Sequence, residues 1–420
     1  MNTKWIEWLA QLREKLAPGR ADRVEPIAAD VSETPYYRER SIAYASAQMV
    51  VLIVLAVYLA VSLLTGSANF SVANLSLLVS DLGSAVVLPE SGGSEMLTYI
   101  ADEQNQYVAY RGGVAVLGRD RLTVFTATGR ENYTVSLGYH TPRLLSSGKY
   151  LVAYDLGGNR FSVFNSLTRL YDTTTDSPIR GMALSDAGYF CLITDDSTYA
   201  SAVTLYDGDF DPVSRFHLKE HTAAVAISDD GKQIAIASVS SVNGTLTMSL
   251  LLAAPGQSEA QNSVLLADAY PLSLTYTEKG ILVLCADAVY ALDRQGTLLG
   301  EYHFESEKLL GASLHENGAV LQLRANAHDT HPQLTILDRA AAVRSTYTVA
   351  QTLRDAALDE EGTLYLLTDG ELVAYAQDEQ APYATVALMS GYEQLLPMDD
   401  GELFLCGRAR AVCIRPRGTK

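Results

Sequence analysis

Hydrophobic positions along the chain follow two regimes. From Gly113 onward, apolar runs of four to six residues recur. Each is led by a turn containing glycine and followed by a second turn, an alternating strand and a more polar fourth strand. Ahead of this region the chain from Ser41 to Ser80 carries no charge at all. Period-two alternation and short apolar runs bounded by turn residues predict half-buried and fully buried strands, whereas an unbroken apolar run predicts a helix in an apolar medium.

The repeat is clearest in its second and third strands. GVAVLGRDRLTVFTATG, GKYLVAYDLGGNRFSVFN, GYFCLITDDSTYASAVTLYD and GKQIAIASVSSVNGTLTMSLLL are followed by GILVLCADAVYALDRQG, GAVLQLRANAHDTHPQLTILD, GTLYLLTDGELVAYA and GELFLCGRARAVCIRP. The leading glycines Gly113, Gly148, Gly188, Gly231, Gly280, Gly318, Gly362 and Gly401 are spaced 35 to 49 residues apart. A period of about 40–45 residues with four strands per unit is that of β-propeller blades. The expectation is an all-β chain with eight four-stranded blades over residues 96–420. Such blades cannot bury both faces alone, so they stack radially, and the glycines are expected to supply the positive φ that tight hairpins need.

The eighth unit ends before a fourth strand. One of the N-terminal runs LSLLVS (75–80) or SAVVLP (84–89) is therefore expected to pair with the strand around Cys413 and close the ring, within a 66–95 linker. Ile42 to Thr65 is uncharged, with Gln48 its one strongly polar side chain. About 20 apolar residues span a bilayer core of roughly 30 Å, so residues 42–65 are expected to form a transmembrane helix. A buried core helix and a cleavable signal peptide are the alternatives, although 41 residues precede the apolar run and a signal peptide's apolar region is shorter. Arg38 and Arg40 precede the run and no Lys or Arg follows until Arg111, which orients the N-terminus to the cytoplasm and the propeller outside. Within the 1–41 tail, Trp5, Trp8, Leu9, Leu12 and Leu16 share one helical face, the pattern of a helix lying on a membrane surface or docking on a partner.

The formal net charge is −18, and residues 1–41 hold equal numbers of acids and bases, so the excess belongs to the exported part. A domain that acidic is unsuited to nucleic acid or anionic lipid. The four cysteines sit in apolar runs, YFCLIT, LVLCAD, LFLCGR and AVCIR, and are expected to be buried free thiols. The spacing of Cys406 and Cys413 does not place them opposite each other.

Candidate chemistry is sparse. Asp207, Asp209 and Asp211 in DGDFD have the spacing of half a calcium loop, without the glycine and the final glutamate, and a polar turn is the expected reading. His328, Asp329 and His331 have the residue types of a metal site but fall in a long hairpin loop. Gly157 and Gly158 precede a strand rather than a helix, which makes them a hairpin turn and not a phosphate loop. No catalytic, cofactor-binding or metal residue is assigned. Tyrosine is abundant, with 24 residues against 9 Phe. Amphipathic aromatics in the core and ring surface are the expected role, with a tyrosine-rich recognition face as the alternative.

The unit VYALDRQGTLLGEYHF, Val289 to Phe304, resembles the repeat of quinoprotein-type and WD40-like propellers. The chain's two tryptophans, Trp5 and Trp8, lie outside the repeats, and the resemblance therefore implies blade geometry and not a quinone enzyme. The order of tail, anchor and propeller, with YDLGGNRFSVFNSLTRLYD and AISDDGKQIAIASV, is similar to a membrane-anchored, propeller-like family of unknown function from Gram-positive bacteria. That resemblance implies architecture and no activity. Function is expected to be that of a noncatalytic, extracytoplasmic scaffold held by residues 42–65, binding an envelope protein or wall component. The alternative is a hydrolase or lyase acting on glycan or peptide at the central channel, recognisable by carboxylates or histidines converging from several blades.

Overall fold

The computed structural model describes residues 96–416, apart from 103–104, 127–128, 258–260, 325–331 and 399–400, together with Tyr44, Gln48, Met49, Leu52 and Ile53. The chain divides into two compact units, residues 1–79 and 80–420. In the first, the five described residues are helical and Tyr44, Met49, Leu52 and Ile53 are exposed. Among the described residues no helix is long and apolar enough to cross a membrane. The 1–41 tail, most of the 42–65 span and the 66–95 linker lie outside the described residues, as do His328, Asp329 and His331.

In the second unit the described strands form eight four-stranded antiparallel sheets. Seven blades take four consecutive strands, here a to d; the eighth takes three and borrows its fourth. The a strands, Gln106–Tyr110, Pro142–Ser146, Ile179–Leu184, His221–Ile227, Pro271–Tyr276, Leu309–His315, Leu353–Leu358 and Tyr392–Pro397, begin the blades and approach one another around the axis. The b strands are sandwiched: every residue of Gly113–Leu117, Leu151–Asp155, Phe190–Thr194, Gly280–Cys285, Leu364–Thr368 and Leu403–Gly407 is buried. That is why these segments read as continuous apolar runs, whereas outer strands such as Asn262–Ala267 and Leu298–His303 alternate.

Eight apolar clusters hold the ring, one between each pair of neighbouring blades. Ile234 and Ile236 pack toward blade 3 with Cys191, Ile193 and Leu205, while the intervening Ala235 and Ala237 pack toward blade 5 with Ile281, Val283 and Tyr276. The same strand thus feeds two cores through its two faces. The cluster of Leu97, Phe404, Cys406, Tyr107, Val114 and Val116 joins blade 8 to blade 1 and completes the circle.

Closure comes from the N-terminal side as expected, but through a different segment. Met96–Thr98 pairs with Arg410–Ile414, placing Met96 opposite Val412 and Thr98 opposite Arg410. The runs at 75–80 and 84–89 lie outside the described residues. Leu97 fixes this strand in place, since its side chain enters the apolar cluster of the seam.

The leading glycines serve two purposes rather than one. Gly188 has φ +90°, the conformation foreseen. At Gly280 the reason is contact: a Cβ would collide with the carbonyl oxygen of Leu292 on the neighbouring strand.

Candidate functional site

The ring presents two unlike ends. Because a and b are antiparallel, the starts of the a strands and the b–c loops share one end, the loop face. The a–b and c–d turns share the other, the turn face.

On the loop face, the a strands of blades 3 to 8 each carry a bulge near their start. A bulge re-aims the extra residue, here Arg180, Ala223, Leu272, Leu310, Arg354 and Glu393, all exposed. In blades 3, 7 and 8 the bulged residue is charged and meets the residue just after strand b. Arg180 donates to both oxygens of Asp195 at 2.8 and 2.6 Å, Arg354 pairs with Asp369, and Glu393 accepts from Arg408 at 2.9 Å. The Arg180 fork holds the Asp195 carboxyl below its ordinary range. In blades 4, 5 and 6 the same position is apolar.

Ala223, Leu272 and Leu310 therefore form an apolar arc between the ion-paired positions of blades 3 and 7. Tyr270 and Leu272 are each 46% exposed and Leu310 is 42% exposed. Beside them the b and c strands of blade 4, Ile234–Val242 and Thr245–Ala253, run nine residues each. They join through Asn243 and Gly244 at φ 53° and 84°, the two positive values a two-residue I′ turn requires. Strand b continues three residues past Val239, the partner of His221, so at about 3.3 Å per residue the hairpin tip stands about 10 Å beyond the rim. Its Leu246 carbonyl accepts from Asp268 N–H at 2.7 Å, which seats the hairpin against the loop leading to Tyr270.

On the turn face, carboxylates gather from several blades. Burial raises the Glu316 carboxyl above its ordinary range, and the charges of Asp229, Asp186 and Glu360 add to the shift against Arg339. Burial likewise raises Asp229, with Asp186 adding. These four residues sit in the a–b turns of blades 3, 4, 6 and 7. The turns of blades 2, 3 and 4 are tied in series, since Gly148 N–H donates to Asp186 Oδ1 at 2.7 Å and Ala187 N–H to the Asp229 carbonyl at 3.0 Å; within blade 6, Arg339 Nε donates to the Glu316 carbonyl at 3.0 Å. Beside Glu316, His315 is pushed down to about 4 by burial, and its Nε2 lies 2.9 Å from Ser313 Oγ. Among the described residues no group of three or more His, Cys, Asp or Glu is arranged to hold a metal ion. At the seam, a cleft of about 110 Å³ is lined by Tyr99, Asp102, Asn105, Arg119 and Arg121.

The residues singled out in the sequence serve the fold. Asp207 Oδ1 accepts the N–H groups of Asp209 and Asp211, both at 3.0 Å. The c–d turns at Asp293 and Asp338 are built the same way. Gly157, at φ 82°, turns the b–c hairpin of blade 2. Cys413 lies opposite Phe404 and Cys406 opposite Ala411, and all four cysteines are free. Tyrosine hydroxyls pin blades together: Tyr110 donates to the Lys149 carbonyl, Tyr133 to Asn165 and Tyr347 to Glu379. The bulged rim was not foreseen. Its one signal is an exposed Leu or Arg at the second residue of a strand, which only alignment of the eight units would isolate.

A model of a family of unknown function, DUF5711, matches residues 95–375, from the edge of the latch strand into blade 7. The chain belongs to DUF5711. None of the curated proteins matches the sequence. Among solved structures, Chaetomium thermophilum Sqt1 bound to the N-terminus of ribosomal protein L10 is similar at 14% identity and TM-score 0.52, over 76% of this chain and 100% of that one. The dihydro-haem d1 dehydrogenase NirN in complex with DHE is similar at 12% identity and TM-score 0.50, over 70% of this chain and 67% of that one. At these identities the likeness shows that this DUF5711 chain has the propeller fold, and no more.

Proposed function

We propose that this chain is a membrane-anchored, extracytoplasmic β-propeller working as a noncatalytic protein-interaction scaffold at the cell envelope. The observation that carries the reading is the apolar arc of Ala223, Leu272 and Leu310, which occupies the rim position that ion-paired charges hold in blades 3, 7 and 8. Contiguous exposed apolar residues rimmed by polar ones mark interaction surfaces. Anchoring rests on the uncharged run 42–65 and on Arg38 and Arg40 before it. The fold likeness to Sqt1 and NirN does not choose between scaffold and enzyme, because one was solved with a protein segment and the other with a small molecule.

The test is crosslinking in intact cells with a photoreactive residue at position 272, followed by capture of the full-length protein. A defined envelope protein joined at 272, and lost on Leu310→Ser, is expected. Labelling of cytoplasmic proteins alone would overturn the assigned location.

A second reading is favoured by the turn face: a hydrolase or lyase acting on envelope glycan or peptide, with Glu316 or Asp229 as the proton donor. Their raised carboxyl values suit general acid chemistry. Turnover of cell-wall fragments that disappears in Glu316→Gln would establish it, and equal turnover in both proteins would remove Glu316 from that role.

A further inference from the structure

We infer that the apolar arc on blades 5 and 6 docks a basic, apolar segment of a partner protein, an inference that rests on the interaction-module reading above. Leu272 and Leu310 hold equivalent positions on adjacent a strands, and Tyr270 stands two residues before Leu272. Two carboxylates flank them. Asp268 precedes Tyr270 by two residues, and Asp287 follows Ala286, whose N–H donates to the Tyr270 carbonyl at 3.0 Å.

Asp268 and Asp287 are joined by Glu301 in a local negative field. The Tyr290 hydroxyl records it, raised first by burial and then by Cys285, Asp287, Glu301 and Asp268. Neither Asp268 nor Asp287 has an ion-pair partner among the described residues, and the Lys308 ammonium, two residues before Leu310, is already paired with Glu305 at 2.9 Å. A net charge of −18 places this patch on an acidic protein.

Charge complementarity then selects the occupant. Apolar side chains of a docked segment cover Leu272 and Leu310, and Lys or Arg beside them neutralises Asp268 and Asp287. An anionic membrane surface is disfavoured, because it would face these carboxylates with like charge. An acidic segment meets the same repulsion.

The experiment uses the full chain in neutral detergent and fluorescence anisotropy with two synthetic amphipathic peptides, one of Leu and Lys and one of Leu and Glu. The Lys peptide is expected to bind about tenfold or more tightly than the Glu peptide. Asp268→Asn with Asp287→Asn should remove most of that difference. Leu272→Ser with Leu310→Ser should weaken the Lys peptide by about tenfold, and Asp186→Asn with Asp229→Asn on the turn face should leave it unchanged. Equal binding of the two peptides overturns the inference, as does an equal loss from the turn-face variant or from neither pair.

The photoreactive residue at 272 separates the two levels of failure. A partner crosslinked there while the peptides bind equally would keep the interaction module and discard its charge preference. Absence of any crosslink from 272, 310 and 270 in cells would discard the module itself.

Discussion

The hydroxyl of Tyr99 lies 2.5 Å from the carbonyl oxygen of Gly407, joining residues 308 positions apart in the chain. It is also 2.8 Å from the Arg410 carbonyl, so one side chain clasps both ends of the b–c loop of blade 8. Tyr107 reaches the same Gly407 oxygen at 2.8 Å. Tyr99→Phe is expected to destabilise the ring by about 1–2 kcal/mol, the cost of leaving such an acceptor short of a donor, read as a lower midpoint in urea. A chain beginning at Ser94 should unfold cooperatively, and one beginning at Gln106, without Met96–Thr98, should not. Equal midpoints for the two would refute the latch.

Gly280 and Gly370 make a matched pair. A Cβ at 280 would strike the Leu292 carbonyl oxygen, while at 370 it would meet nothing within 4 Å. Gly280→Ala should cost about 1–3 kcal/mol as overpacking against backbone. Gly370→Ala should be neutral or stabilising by up to about 1 kcal/mol through the unfolded chain. Thermal unfolding of the two variants side by side tests this, and the opposite order would contradict the contact argument.

The carboxylates of the turn face should make stability fall as pH rises. The folded-state values of Glu316 and Asp229 lie above their ordinary ones, so between the unfolded and folded values the native state binds more protons than the unfolded chain. Stability therefore declines with rising pH through that window. Glu316→Gln should raise the melting temperature at pH 7.5 and lose that advantage near pH 4, where the wild-type carboxyl is protonated. A variant no more stable than wild type at pH 7.5 would remove the strain argued for this cluster.

Burial should silence three of the four thiols. It raises Cys191 and Cys285 to about 12, and Cys406 also upward, whereas half-buried Cys413 rises to about 11, with Glu402 adding to burial. The thiolate is the reactive form. Ellman's reagent should therefore label Cys413 first and reach the other three at the rate of unfolding. Rapid labelling of all four in the native state would contradict the packing of the b strands.

The amino-acid sequence by itself determined the repeat, the strand count and the order of the blades. Each b strand must be apolar on both faces and each hairpin must turn at a residue that permits it. Those are local demands, written every 35 to 49 residues in Gly113 through Gly401. The same locality made Asp207 legible as a turn and Cys191, Cys285 and Cys406 legible as core, whereas Cys413, expected to be buried with them, is half-buried. The tertiary structure alone decided what is shared between blades. The strand Met96–Thr98 closes the ring, and Leu97 carries its side chain into the seam cluster between blades 8 and 1. Leu272 and Leu310 become one surface, and Asp186, Asp229, Glu316 and Glu360 one electrostatic group, because radial stacking brings together residues from separate units. Hydrophobic periodicity reports on which face of a strand is buried; it carries no information about which residues of different blades meet around an axis.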